Sequence, residues 1–260
     1  MNPPVCLRRG TGQTAVFLLH GVGGGKAAWL DSLQPLADAG FQAVAWDMPG
    51  YGESPPLDPC TNAALAHSLE QLIDHVGAAR NVLVGHSMGG MVAQEAVALF
   101  AQKIHGLVLS GTTAAFGKPG GEWQQQFLNS RFAPLDAGVG MAGLARTLVP
   151  GMVAPQAGVT AIDAAASLMA GVPEASYRAA LSAIVSFNRV SNLVNIRVPT
   201  LCIAGEYDQN AAPLVMKKMA ECIAGAQYLC LPGVGHLANM ERPDAFNEVV
   251  LKFLKHHFAG

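Results

Sequence analysis

A chain of 260 residues, 51% apolar and only 13% charged, can bury a full core, and this composition excludes a disordered or solvating protein. The formal charge of −2, with no run of Lys or Arg, argues against nucleic acid or an anionic membrane surface as a partner. Five scattered cysteines without a CxxC, no basic-then-apolar leader at Met1, and no apolar run long enough to span a bilayer together point to a cytoplasmic protein with reduced thiols.

Taken in chain order, short β-branched runs alternate with longer amphipathic ones. Ala15 to Leu19 is a continuous apolar run of the kind a buried parallel strand shows, and it ends in His20-Gly21. Trp29 to Ala39 carries apolar residues at helical spacing and stops at Gly40. Phe41 to Trp46 reads as the next strand, closed by the turn-rich Asp47-Met-Pro-Gly-Tyr-Gly-Glu-Ser54. Ala63 to Val76 predicts a helix, Asn81 to Val84 a strand, and Met88 to Phe100 another helix. Further strands are expected at Gly106 to Leu109, Thr200 to Ala204 and Gln227 to Leu231, with helices over Pro213 to Ile223 and Pro243 to His257. This alternation implies right-handed βαβ units and a mainly parallel sheet covered on both faces.

Residues 112–192 contain no convincing strand. Four helices are expected there, over Glu122 to Phe132, Val139 to Leu148, Val159 to Ala170 and Glu174 to Phe187. Gly111 to Pro173 holds only six charged residues, so the segment reads as a helical cap with an apolar inner face. The domain division is therefore a core of residues 1–111 and 193–260, with the cap, 112–192, inserted between two strands.

The most informative string is Val82-Leu-Val-Gly-His-Ser-Met-Gly-Gly90, which places G-x-S-x-G where a strand turns into a helix. A nucleophile at the tip of so sharp a turn has a strained backbone, and its neighbours two residues away approach too closely to carry a Cβ. Ser87 is the candidate nucleophile. A serine hydroxyl needs a base, and the base needs an orienting group. Among eight histidines, His236 alone sits on a Gly-rich loop after a strand, in Leu231-Pro-Gly-Val-Gly-His236. His20 reads as structural, and His86 as locked in the turn, pointing away from the reacting face. Asp208 follows the strand Thr200 to Ala204 and is preferred as the acid over Glu206, because it lies further from the strand end and reaches a loop histidine. The loop His20-Gly-Val-Gly-Gly-Gly25 can turn amides inward, so the Val22 and Met88 N–H groups are the expected oxyanion donors. It lacks the endings of a phosphate-binding loop. Trp29, near that loop, and Trp123, at the start of the cap, are candidate pocket walls or core residues.

Leu19-His-Gly-Val-Gly23, Asp47 to Ser54, Gly85-His-Ser-Met-Gly-Gly90, Val198 to Asp208 and Gly233-Val-Gly-His236 run in one order along nearly the full length. Together they resemble the α/β-hydrolase superfamily, in its cap-bearing branch of small esterases, lactonases and C–C bond hydrolases. The order Ser87, Asp208, His236 matches that family. The tail Gly235 to Asn247 looks most similar to the 3-oxoadipate enol-lactonase and esterase group. The resemblance implies an α/β-hydrolase fold with a mostly parallel eight-stranded sheet and a site beneath the cap. It also implies acyl transfer from a small ester, lactone or related carbonyl substrate to water, with no metal or organic cofactor. Leu237 stands where the meta-cleavage C–C hydrolases commonly carry Trp, and a Gly stands in the oxyanion loop where they tend to carry Pro. Ser at position 87 separates the chain from haloalkane dehalogenases, which use Asp. A non-catalytic ligand-binding protein on the same scaffold is the rival from another class.

Overall fold

The computed structural model describes residues 3–118 and 120–258. Met1 and Asn2, where a leader would begin, lie outside the described residues. The strands are β1 (Cys6–Arg9), β2 (Thr14–Leu19), β3 (Gln42–Trp46), β4 (Arg80–His86), β5 (Gly106–Ser110), β6 (Thr200–Gly205) and β7 (Gln227–Leu231). They form one sheet in the order β1-β3-β2-β4-β5-β6-β7. Only β1 runs antiparallel to its neighbour, and every other pairing is parallel.

The described residues thus give seven strands, where the resemblance implied eight. Ahead of β1 only Pro3, Pro4 and Val5 are described, and two prolines bring no N–H to a ladder. β1 itself was not expected from sequence. Its Cys-Leu-Arg-Arg string has a half-exposed, charged pattern that suits an edge and gives no apolar run to detect.

Helices α1 (Leu30–Asp38), α2 (Asn62–Val76) and α3 (Met88–Phe100) connect the first five strands. The α2 boundaries follow from capping: the Thr61 side chain accepts from the Ala64 amide at 3.1 Å, and Gly77 ends the helix at φ 65°. After β6 come α8 (Pro213–Glu221), the short α9 (Ala238–Glu241) and α10 (Pro243–Phe258). Between β5 and β6 the chain is helical: α4 (Glu122–Asp136), α5 (Gly140–Leu148), α6 (Val159–Ala170) and α7 (Glu174–Val185).

Side chains of β2 split by strict alternation. Ala15, Phe17 and Leu19 join one core with α2, α3, α8 and the inserted helices, while Val16 and Leu18 join another with α1 and α10. Both faces of the central strands are therefore dry, which accounts for apolar runs without a polar alternate. Helix α3 is buried nearly all round, and this fixes the residue that precedes it.

Candidate active site

β4 ends at His86, α3 begins at Met88, and Ser87 lies between them at φ 53° and ψ −119°. It is the only non-glycine residue with positive φ among those described. Such a conformation costs on the order of 1–3 kcal/mol and persists only where the surroundings impose it. Here they do. A Cβ on Gly85 would lie 2.5 Å from the Gly89 carbonyl oxygen, and one on Gly89 would run into the Leu19 carbonyl. The Ser87 amide donates to Ser110 O at 2.9 Å, and its carbonyl accepts from Gly90 N at 2.9 Å and Thr112 Oγ1 at 2.7 Å. None of these bonds uses the hydroxyl, which makes no hydrogen bond to protein among the described residues and sits at the N-terminus of α3.

The loop between β7 and α9 carries His236, almost wholly buried. Its Nδ1 lies 2.8 Å from Asp208 Oδ2, and Asp208 Oδ1 accepts from the amides of Asn210 at 2.8 Å and Ala211 at 2.9 Å. Burial pushes the Asp208 carboxyl up, but the His236 charge, its hydrogen bond and the two amides outweigh that and hold it below the usual carboxylate value. Glu206, the competing acid, accepts instead from Gly233 N at 2.8 Å and makes no bond to His236. The structure therefore brings His236 and Asp208 together. Ser87 and His236 both border a cavity of about 420 Å³ and a smaller recess of about 40 Å³.

The Gly-rich loop after β2 is held from several sides. Asp47 receives the Lys26 amide at 2.9 Å and the Lys26 ammonium at 2.5 Å, and Tyr51 OH donates to Val22 O at 2.9 Å. Among the described residues, neither the Val22 nor the Met88 amide donates to a protein acceptor. Two unspent donors in a rigid loop and at a helix N-terminus form an arrangement suited to a developing oxyanion. Among the described residues no group of three His, Cys, Asp or Glu is placed to hold a metal ion.

A family model described as "Alpha/beta hydrolase family" matches residues 16–249. The chain belongs to the α/β-hydrolase family. A segment of polyketide synthase ThaQ of Burkholderia thailandensis is 30% identical over 255 residues, covering 95% of this chain and 12% of that much longer protein. A thermophilic esterase from Thermogutta terrifontis superposes with a TM-score of 0.87 at 26% identity, covering 97% of this chain and 93% of that one. The enol-lactonase from Burkholderia xenovorans gives 0.85 at 25% identity, over 96% of both chains.

Within this α/β-hydrolase, several side chains lie where sequence did not place them. His86 does not point away from the reacting face. Its ring packs 4.8 Å from that of His236, and its Nε2–H donates to the His236 carbonyl at 2.8 Å. The strained turn at Ser87 rotates the last strand residue toward the histidine loop, which periodicity cannot reveal. Glu241 was missed as well. One carboxylate oxygen accepts from Ala154 N at 2.8 Å and Gly235 N at 3.0 Å, and the other from Leu237 N at 3.0 Å. It thereby ties both neighbours of His236 to the inserted segment, and the His236 amide adds a bond to Met152 O at 2.7 Å. The available signal was a Glu one turn into a helix, reaching back to the amide before it as in a capping box. Trp29 is buried, packs 5.9 Å from Phe246 with the rings tilted, and lines the recess; Trp123 is exposed, packs on Phe116 at 4.9 Å and lines the larger cavity.

His20 and His86 give the fold a defined acid sensitivity. His20 donates through Nδ1 to Gly21 O at 2.8 Å and accepts the Met48 amide at Nε2, so its role is structural. Burial lowers His20 to about 4, and burial with the His236 charge lowers His86 to about 3. Both stay neutral in the fold while the unfolded chain takes up protons below about 6.5. Their contribution to stability is complete above that value and is lost as pH falls toward 4 and 3. Thermal unfolding followed between pH 7.5 and 4.5 is expected to show a midpoint that falls with pH. In His20→Asn the fall is shallower, and an equal slope in the variant would remove His20 from this account.

Proposed function

We propose that the protein is a serine hydrolase that cleaves carboxylic ester or lactone bonds of small, partly hydrophobic substrates through an acyl-enzyme. The observation that carries this reading is Ser87, held at positive φ on a cavity shared with His236, whose Nδ1 is engaged by Asp208 at 2.8 Å. Ser87 attacks the carbonyl carbon as His236 Nε2 takes its proton, and the Val22 and Met88 amides hold the oxyanion. His236 then protonates the leaving oxygen, and water activated by the same imidazole releases the acid. The Asp208 carboxylate keeps the proton on Nδ1, leaving Nε2 as the base. The inserted helices of residues 112–192 act as a cap over this centre, and Met91, Leu148, Leu181 and Ile184 give the cavity its apolar walls. The similarity to an esterase and an enol-lactonase supports ester chemistry, and Leu237 speaks against the C–C bond hydrolases.

The test is covalent. Incubation with diethyl p-nitrophenyl phosphate is expected to release p-nitrophenolate as an Oγ–P bond forms, with peptide mapping placing the adduct on Ser87. Hydrolysis of p-nitrophenyl butyrate should vanish in proportion to labelling. An adduct on another residue, or a folded protein inert to both esters and lactones, overturns the reading, and ring-fission diketones become the substrates to examine.

A further inference from the structure

Arg131, on α4, lines the larger cavity. Its guanidinium carbon sits 3.7 Å above the centre of the Phe127 ring. One terminal nitrogen donates to Phe127 O at 3.3 Å and to Ser130 Oγ at 2.7 Å, which uses both hydrogens of that nitrogen. Nε and the other terminal nitrogen have no protein partner among the described residues. Within the same inserted segment Arg178 pairs with Asp136 and Glu174, and Arg189 with Glu95, while Arg146 is exposed and lies outside the cavity lining. No Asp or Glu is found among the described residues lining this cavity. Burial already pushes the Arg131 guanidinium down from its usual value, and the one other titrating group acting on it is Tyr177.

Tyr177, on α7, borders the same cavity with 1% of its surface exposed. Among the described residues its hydroxyl makes no hydrogen bond to protein. Burial pushes that phenol up to about 12, so it stays a neutral donor. A half-buried cation without a counter-charge and a buried hydroxyl without an acceptor are each costly if left unmet. They face one space, which also contains Ser87.

We infer that Arg131 and Tyr177 form an anion subsite in the substrate cavity, so that the ester or lactone cleaved at Ser87 carries a carboxylate at a distance from the scissile bond. This deepens the ester-hydrolase reading and rests on it. The guanidinium fork presents two free N–H directions, as a carboxylate requires, and Phe127 beneath it fixes the plane. The phenol supplies a third donor. The rest of the wall is largely apolar, which fits an aliphatic chain between the reacting carbonyl and the carboxylate.

The experiment compares p-nitrophenyl hemi-esters of succinate through suberate with neutral p-nitrophenyl esters of equal chain length. The wild-type protein is expected to favour the charged series by ten-fold or more in kcat/KM at one chain length, and that length reports the spacing from Ser87. Arg131→Met should abolish the preference, costing about 10- to 100-fold on the hemi-ester while leaving the neutral ester within about two-fold. Turnover of the neutral ester also shows that the variant folds. Arg131→Lys keeps the charge without the fork and should fall between the two, and Tyr177→Phe should lower the preference several-fold. A binding arm is independent of turnover: Ser87→Ala protein titrated with adipate or pimelate should bind, and the double variant with Arg131→Met should not. Neutral esters turned over with no preference for the charged series, or a preference untouched in Arg131→Met, overturn the subsite and leave the ester hydrolase standing. Inert esters with intact, Arg131-dependent dicarboxylate binding overturn the ester reading and leave the subsite.

Discussion

Ser87→Ala is expected to lower kcat on p-nitrophenyl esters by about 10⁶, which corresponds to about 8 kcal/mol of transition-state stabilisation. The size follows from what the substitution removes. The hydroxyl is the nucleophile that forms the acyl-enzyme in the proposed mechanism, and no bond of the elbow depends on it. The Ser110, Gly90 and Thr112 contacts all use the Ser87 backbone, so alanine leaves the turn in place. Alanine also keeps a Cβ at a position whose neighbours already tolerate one, so the melting temperature should move little. A residual rate above the uncatalysed one is expected, because the Val22 and Met88 amides and the cavity remain. Loss of less than ten-fold, with the fold intact, would transfer the chemistry to another residue.

The sheet was legible because its central strands are dry on both faces. Runs such as Ala15-Val-Phe-Leu-Leu19 have no other economical placement, and the helices between them announce themselves by stripe and cap. The edge failed for the opposite reason. β1 has a wet side and two arginines, so nothing in Cys6-Leu-Arg-Arg9 distinguishes it from a loop. Helix α4 was expected to stop at Phe132, yet it runs on to Asp136 with Pro134 inside its last turn. The candidates Ser87, Asp208 and His236 were each singled out by local context, a turn pattern, a strand end and a Gly-rich loop. The bond between His236 and Asp208 was not, because it joins two separate loops 28 positions apart. His86 and Glu241 show the same limit, since their partners, the His236 carbonyl and the Ala154 amide, lie 150 and 87 positions away. Arg131 was legible only as one of six charges between Gly111 and Pro173. Its meaning lies in an absent counter-charge, and absence of a partner has no signature in sequence.

Asp208→Asn separates the two carboxylates that follow β6 and is expected to reduce kcat by about 10⁴. Asparagine can still accept the Asn210 and Ala211 amides through its carbonyl oxygen, so the turn survives. Its amide nitrogen then faces His236 Nδ1 and donates to it. That bond requires Nδ1 without a proton, which places the proton on Nε2, the nitrogen that must take one from Ser87. The base is present but in the wrong tautomer. Glu206→Gln is the control: Glu206 contacts Gly233 N and not His236, so its loss should change kcat by less than ten-fold. The same pair has a second readout in stability. The lowered Asp208 pKa means that its contribution is present above the unfolded carboxyl value of about 3.9 and is lost as pH falls through the folded one. Asp208→Asn removes that part of the acid dependence while the part due to His20 and His86 remains. A kcat loss that follows Glu206→Gln rather than Asp208→Asn would assign the orienting role to the other carboxylate. It would also require the loop to rearrange when substrate binds, because in this structure His236 Nδ1 bonds to Asp208.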